Sequence, residues 1–94
     1  MKVRANPDVI ARIVGERTIL IDSAIGRCFG LDAVGGRMWR LLVEYESTEP
    51  ALDQLVAEFD ADASVIARDL KKLVDALSRH NLIAVTSKSG RRRK

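Results

Sequence analysis

Over the first third of the chain, apolar residues stand in short blocks or alternate with polar ones; further on they recur every three or four positions. Val9-Ile10-Ala11-Arg12-Ile13-Val14 is rich in β-branched residues and stops at Gly15-Glu16, a pair suited to a tight turn. Thr18-Ile19-Leu20-Ile21 predicts a second strand, closed by the turn chemistry of Asp22-Ser23-Ala24-Ile25-Gly26. Arg27 to Leu31 predicts a third. Its alternation places Arg27, Phe29 and Leu31 on one face and Cys28 and Gly30 on the other. Three strands with short connections predict an antiparallel meander.

Helical spacing begins at once. Asp32 stands where a helix N-cap belongs, and Val34, Met38, Leu41 and Leu42 predict a helix ending near Glu44. Gly35 and Gly36 lie early in it, each costing about 1 kcal/mol against alanine. A helix tolerates that where another backbone must come close. Ser47-Thr48-Glu49-Pro50 signals a second helix start, with Leu52, Leu55, Val56 and Phe59 as its apolar face. Asp60-Ala61-Asp62-Ala63 offers a new cap. The third helix should run from Ala63 or Ser64 to about His80, with Ile66, Leu70, Leu73 and Leu77 as its buried stripe. Asn81 fits a C-terminal cap, and Leu82 to Val85 is a last apolar run. The order predicts an α+β domain: a three-stranded antiparallel sheet followed by three helices.

Composition adds limits. Ninety-four residues make one domain, and 47% hydrophobic with 31% charged residues is an ordinary globular balance. One cysteine excludes an internal disulfide and suits a reducing compartment. No apolar run approaches the roughly 20 residues of a membrane span, and MKVRANPDV has no signal-like core. The expectation is a soluble, cytoplasmic chain. The net charge is +3, but five of the 16 basic residues are Lys88, Arg91, Arg92, Arg93 and Lys94. Without them the body has 11 basic against 13 acidic residues, about −2. The basicity therefore belongs to a tail. Residues 88–94 are expected to be a disordered appendage of a domain spanning 1–87.

The chemical inventory is thin. His80 is the only histidine, at an expected helix end where capping suits it, and no serine or cysteine is placed for it to activate. Cys28 has no partner for metal binding and reads as a small packing residue. Asp60 and Asp62 resemble the start of a calcium loop, but its glycine and distal glutamate are missing. Gly35-Gly36 fits no phosphate-binding pattern. Trp39 reads as a core aromatic, since 4% aromatic residues is too few for a base-stacking platform. The expectation is a chain that binds without transforming: no enzyme, no cofactor, no metal.

The stretch Gly26-Arg27-Cys28-Phe29-Gly30-Leu31-Asp32-Ala33-Val34-Gly35-Gly36-Arg37-Met38-Trp39-Arg40-Leu41-Leu42 resembles the hallmark of the PqqD-like family. In that hallmark an aromatic-x-Leu-Asn strand end precedes x-x-Gly-x-x-hydrophobic-Trp-x-Leu-Leu. Phe29, Leu31, Gly35, Met38, Trp39, Leu41 and Leu42 carry the match, and Asp32 replaces the asparagine with capping retained. The resemblance spans roughly Val9 to Val85. It implies a winged helix-turn-helix-like domain, a RiPP recognition element, which binds the leader of a ribosomally made precursor peptide as an added strand. Separate maturation enzymes then act on the attached core; the leader peptidase and cyclase of a lasso-peptide pathway are favoured. A partner of a radical enzyme, or a winged-helix DNA-binding regulator, are the alternatives. The near-neutral body speaks against nucleic acid, and no membrane partner is expected.

By that resemblance the leader lies beside Arg27, Cys28, Phe29, Gly30 and Leu31, in the groove between this strand and the third helix. The flank of that helix bearing Ala67, Lys71 and Val74, with Arg68 and Asp75 farther round, is the chosen groove wall. The flank with Val65, Asp69 and Ala76 stays open. In an edge strand either Arg27, Phe29 and Leu31 or Cys28 and Gly30 direct their backbone groups outward; the sequence leaves that choice open as well.

Overall fold

The protein is described by a computed structural model covering residues 1–86. The basic tail and the expected boundary at residue 87 lie outside the described residues. The elements are β1 (Lys2–Ala5), β2 (Val9–Val14), β3 (Arg17–Asp22), β4 (Arg27–Leu31), α1 (Ala33–Tyr45), α2 (Thr48–Glu58), α3 (Ala63–Arg79) and β5 (Ile83–Thr86). Strands β2, β3 and β4 form an antiparallel sheet in that order, and three helices follow it in a winged helix-turn-helix-like arrangement. The α+β meander is thus present as the pattern predicts.

One element has no counterpart in the sequence reading. β1 pairs antiparallel with β5, from Lys2 opposite Thr86 to Ala5 opposite Ile83. Only Val3 of β1 is fully buried, so no alternation marks the strand locally. It exists because Val3 completes the core with Leu82 and Ile83 and because β5, far away in sequence, supplies its ladder.

The core joins Leu20 of β3, Trp39, Leu41 and Leu42 of α1, Ala51 and Leu55 of α2, and Ile66, Leu70, Val74 and Leu77 of α3. Asp32 caps α1 as expected: its Oδ1 accepts the Gly35 N–H at 2.7 Å. Of the glycine pair, Gly36 makes a close approach to the sheet, against the Thr18 side chain, while Gly35 meets only its own cap, Asp32, and Leu31. A Cβ on Gly36 would run into the Thr18 hydroxyl and lie 3.1 Å from the Thr18 Cβ, so α1 sits on β3 at a distance only glycine permits. Helix α3 ends in a Schellman motif. Asn81 takes φ 60°, the Asn81 N–H donates to the Ser78 carbonyl, and the Leu82 N–H donates to the Leu77 carbonyl at 2.8 Å. That motif seats His80 at the cap position.

Candidate functional site

β4 forms one edge of its sheet, and hydrogen bonds elsewhere settle which of its residues face outward. The Ser23 N–H donates to the Asp8 carbonyl at 2.9 Å, one step beyond the Val9–Asp22 pair. At the other end, the two-residue Gly15-Glu16 turn closes on Val14 and Arg17, with Gly15 at φ 64°. Arg17, Ile19 and Ile21 therefore bond toward β2. Because backbone groups alternate sides along a strand, Thr18, Leu20 and Asp22 bond toward β4. Their partners are Leu31, Phe29 and Arg27. Cys28 and Gly30 are left with N–H and C=O groups directed outward. The two possibilities the sequence left open reduce to this one.

Side chains follow the same register. Arg27, Phe29 and Leu31 share the helix-facing side of the sheet with buried Thr18, Leu20 and Asp22. Phe29 and Leu31 are half-buried against the core. The Phe29 ring centroid lies 4.9 Å from that of His80, and the Arg27 guanidinium carbon sits 5.5 Å from the Phe29 centroid. This stack closes one end of a groove between β4 and α3. Further along α3, just past the end of β4, a hollow of about 500 Å³ lies between Asp32 with Val34, Gly35 and Met38 of α1 on one side and Asp69, Lys72 and Leu73 of α3 on the other.

The flank of α3 beside β4 is therefore the one carrying Asp69, Leu73 and His80, and helical spacing places Ala76 between Leu73 and His80 on it. The chosen flank lies elsewhere. Ala67, Lys71 and Val74 line a second hollow of about 190 Å³ with Leu70, Leu52, Thr48, Glu49 and Met1. At about 100° per residue, Lys71 stands roughly opposite His80 around the helix. Asp75 is paired with Lys71, Nζ to Oδ2 at 3.2 Å, and Arg68 is exposed. The structure thus brings Arg27, Phe29 and Leu31 to one groove with the alternative flank, and it does not bring Ala67, Lys71, Val74 or Asp75 there. The physical reason is chain path: that side of α3 meets α2 and the first residue. His80 is at the cap position assigned to it, and its ring contact with Phe29 is what the sequence reading missed.

One bidentate ion pair lies outside the groove. Arg37 of α1 meets Glu58 at the end of α2 bidentately, Nε to Oε1 at 2.8 Å and Nη2 to Oε2. The Arg37 hydrogen bond, helped by Gln54, holds the Glu58 carboxyl at about 2, and the same bond raises the arginine. Cys28 is free and exposed. Among the described residues, no three His, Cys, Asp or Glu side chains are grouped to hold a metal ion, and no helix is long and apolar enough to cross a membrane.

The sequence profile of the coenzyme PQQ synthesis protein D (PqqD) family matches residues 17–83, from the start of β3 through the groove to β5. This chain belongs to the PqqD family. Two solved structures share its fold. One is TbiB1 in complex with the TbiA(beta) leader peptide, 30% identical, with a TM-score of 0.81 over 90% of this chain and 99% of that one. The other is a lasso peptide synthetase B1 complexed with the leader peptide, 18% identical, with a TM-score of 0.79 over 90% and 100%. No curated protein matches the sequence. The family assignment agrees with the resemblance carried by Phe29, Leu31, Gly35, Met38, Trp39, Leu41 and Leu42.

Proposed function

We propose that this PqqD-family chain binds the leader of a ribosomally synthesised precursor peptide as a fourth strand on β4 and presents it to separate maturation enzymes. The observation that carries the reading is the outward register of Cys28 and Gly30 along a strand backed by a groove. An extended peptide meets unpaired main-chain groups there, and its alternate side chains reach half-buried apolar surface. That two structures of the same fold are complexes with leader peptides supports it. The domain acts by raising the local concentration of its tethered substrate, with the chemistry done by its partners. The leader peptidase and cyclase of a lasso-peptide pathway are the partners favoured by those neighbours. The description of the matching family, coenzyme PQQ synthesis, favours a second reading, partner of a radical enzyme in cofactor maturation. Both use the same edge. The reading keeps the chain in the cytoplasm, with Arg27 to Leu31 and the Asp69–His80 flank of α3 as the site.

Two proline variants test it, titrated by fluorescence polarisation against a leader peptide that the parent binds. Cys28→Pro removes an outward donor, so it should fold like the parent and bind leader at least ~10-fold more weakly, about 1.4 kcal/mol. Arg27→Pro removes a donor on the side of β4 that pairs with β3, opposite Asp22. It should cost about 1 kcal/mol of stability, a fall of roughly 4–8 °C in Tm. Unchanged leader affinity in Cys28→Pro would remove the mechanism.

A further inference from the structure

The face of the sheet turned away from the helices carries a feature the groove does not explain. Gly30 lies on this face beside Ile19 and Arg12, in one row across three strands. Arg17, two residues before Ile19, shares the face and stands diagonal to Gly30, within reach of a long side chain. It does reach. The Arg17 Nη2 lies 3.2 Å from the point a Cβ on Gly30 would occupy, and the Ile19 Cδ1 lies 3.8 Å from it. A glycine at the open edge thus leaves a space that a guanidinium fills. Among the described residues no carboxylate forms an ion pair with Arg17.

An arriving strand meets this cation directly. Its residues alternate between the two faces, so those pointing inward meet Phe29, Leu73 and His80, and those pointing outward pass beside Cys28 and Gly30. With no side chain on Gly30, nothing stands between the outward residue there and the Arg17 guanidinium. Opposite charges on neighbouring strands stabilise a sheet and like charges destabilise it. The guanidinium also presents a planar fork of donors that fits a carboxylate.

We infer that Arg17 is a specificity residue that reads an aspartate or glutamate of the leader, on the outer face of the added strand beside Gly30. This rests on the leader-binding reading above and names the peptide class it selects: apolar toward the groove, acidic at one outward position.

The test uses the full chain, immobilised, with a phage-displayed library of randomised strand-length peptides as the probe. The parent should enrich peptides with a carboxylate at one fixed position. Arg17→Glu should enrich lysine or arginine at that position and bind the parent's peptides roughly 10-fold more weakly. Arg17→Gln should weaken them roughly 3-fold, as for an exposed ion pair, with the difference shrinking at high salt. Arg17 is exposed, and melting curves will verify that both variants fold. If Cys28→Pro abolishes binding while the Arg17→Glu selection returns the same peptides as the parent, this inference is overturned and leader binding on β4 stands. If the enriched peptides bind Cys28→Pro as well as the parent, or none is enriched, both fall.

Discussion

The three-stranded sheet has two edges, and only one of them looks like a site. On β2 the register directs Val9, Ala11 and Ile13 outward. The Val9 N–H is taken by the Asn6 carbonyl at 3.0 Å, which leaves Ala11 and Ile13 with open donors. On β4 the corresponding residues are Cys28 and Gly30. The main-chain chemistry is the same on both sides. The surroundings differ in degree: Ile13, at the hollow it shares with Gly36, Arg37 and Arg40 of α1, is 66% exposed, whereas Phe29 and Leu31 are half-buried against the core, Phe29 with its ring on His80. Backbone groups make an edge adhesive, and a wall makes it selective. The more exposed edge is the more open to unwanted pairing, and on β2 Arg12 supplies a charge that opposes it.

The comparison is broken most directly by placing one substitution on each edge. Ala11→Pro and Cys28→Pro both delete an outward donor. Both should fold, yet Ala11→Pro should keep leader affinity within about 2-fold while Cys28→Pro loses at least ~10-fold. Equal losses in the polarisation titration would mean the wall is irrelevant. A smaller effect separates the two flanks of α3. His80→Ala removes the ring packed on Phe29 and should weaken leader binding roughly 3- to 5-fold, the scale of one aromatic contact. Lys71→Ala, on the flank facing α2, should leave the affinity unchanged. The reverse result would return the groove wall to Ala67, Lys71 and Val74.

The smallest effect lies away from both edges. Glu58 has its folded pKa depressed to about 2 from an ordinary 4.5 by Arg37, so the pair contributes stability above about pH 4.5 that is lost as pH falls toward 2. Glu58→Gln should melt below the parent at pH 7, with the gap closing across that window. Leader affinity at pH 7 should be equal for the two. A change in affinity would show that the α1–α2 contact reaches the groove.

Much of this was legible in the sequence. The strands β2 and β3 announced themselves by β-branched runs and turn residues, and β4 by its alternation. The helices did so by spacing and caps, and the glycine pair by its cost. What stayed hidden was non-local. β1 depends on β5 at the other end of the described chain, and one buried valine leaves no period to read. The two flanks of α3 are equivalent in angular terms; the path of the chain through α2 decides which of them meets β4. Arg17, just outside the Thr18–Ile21 run, carried no signal in the sequence because its place depends on the empty space at Gly30 on the neighbouring strand. The outward register of Cys28 and Gly30 was likewise unreadable until the Ser23–Asp8 bond and the Gly15-Glu16 turn fixed it.

The contact between Gly36 and Thr18 has a thermodynamic consequence for whatever docks at β4. Thr18 pairs with Leu31, Leu31 precedes Asp32, and Asp32 caps the helix that brings Gly36 back onto Thr18. Strand, cap and helix close a small ring of mutual contacts, so the edge is preorganised before a peptide arrives. The conformational entropy lost on binding then falls almost entirely on the peptide, and immobilising each of its rotamer-rich side chains costs about 0.5–1.5 kcal/mol. The entropic part of the affinity should accordingly follow the stiffness of the docking peptide.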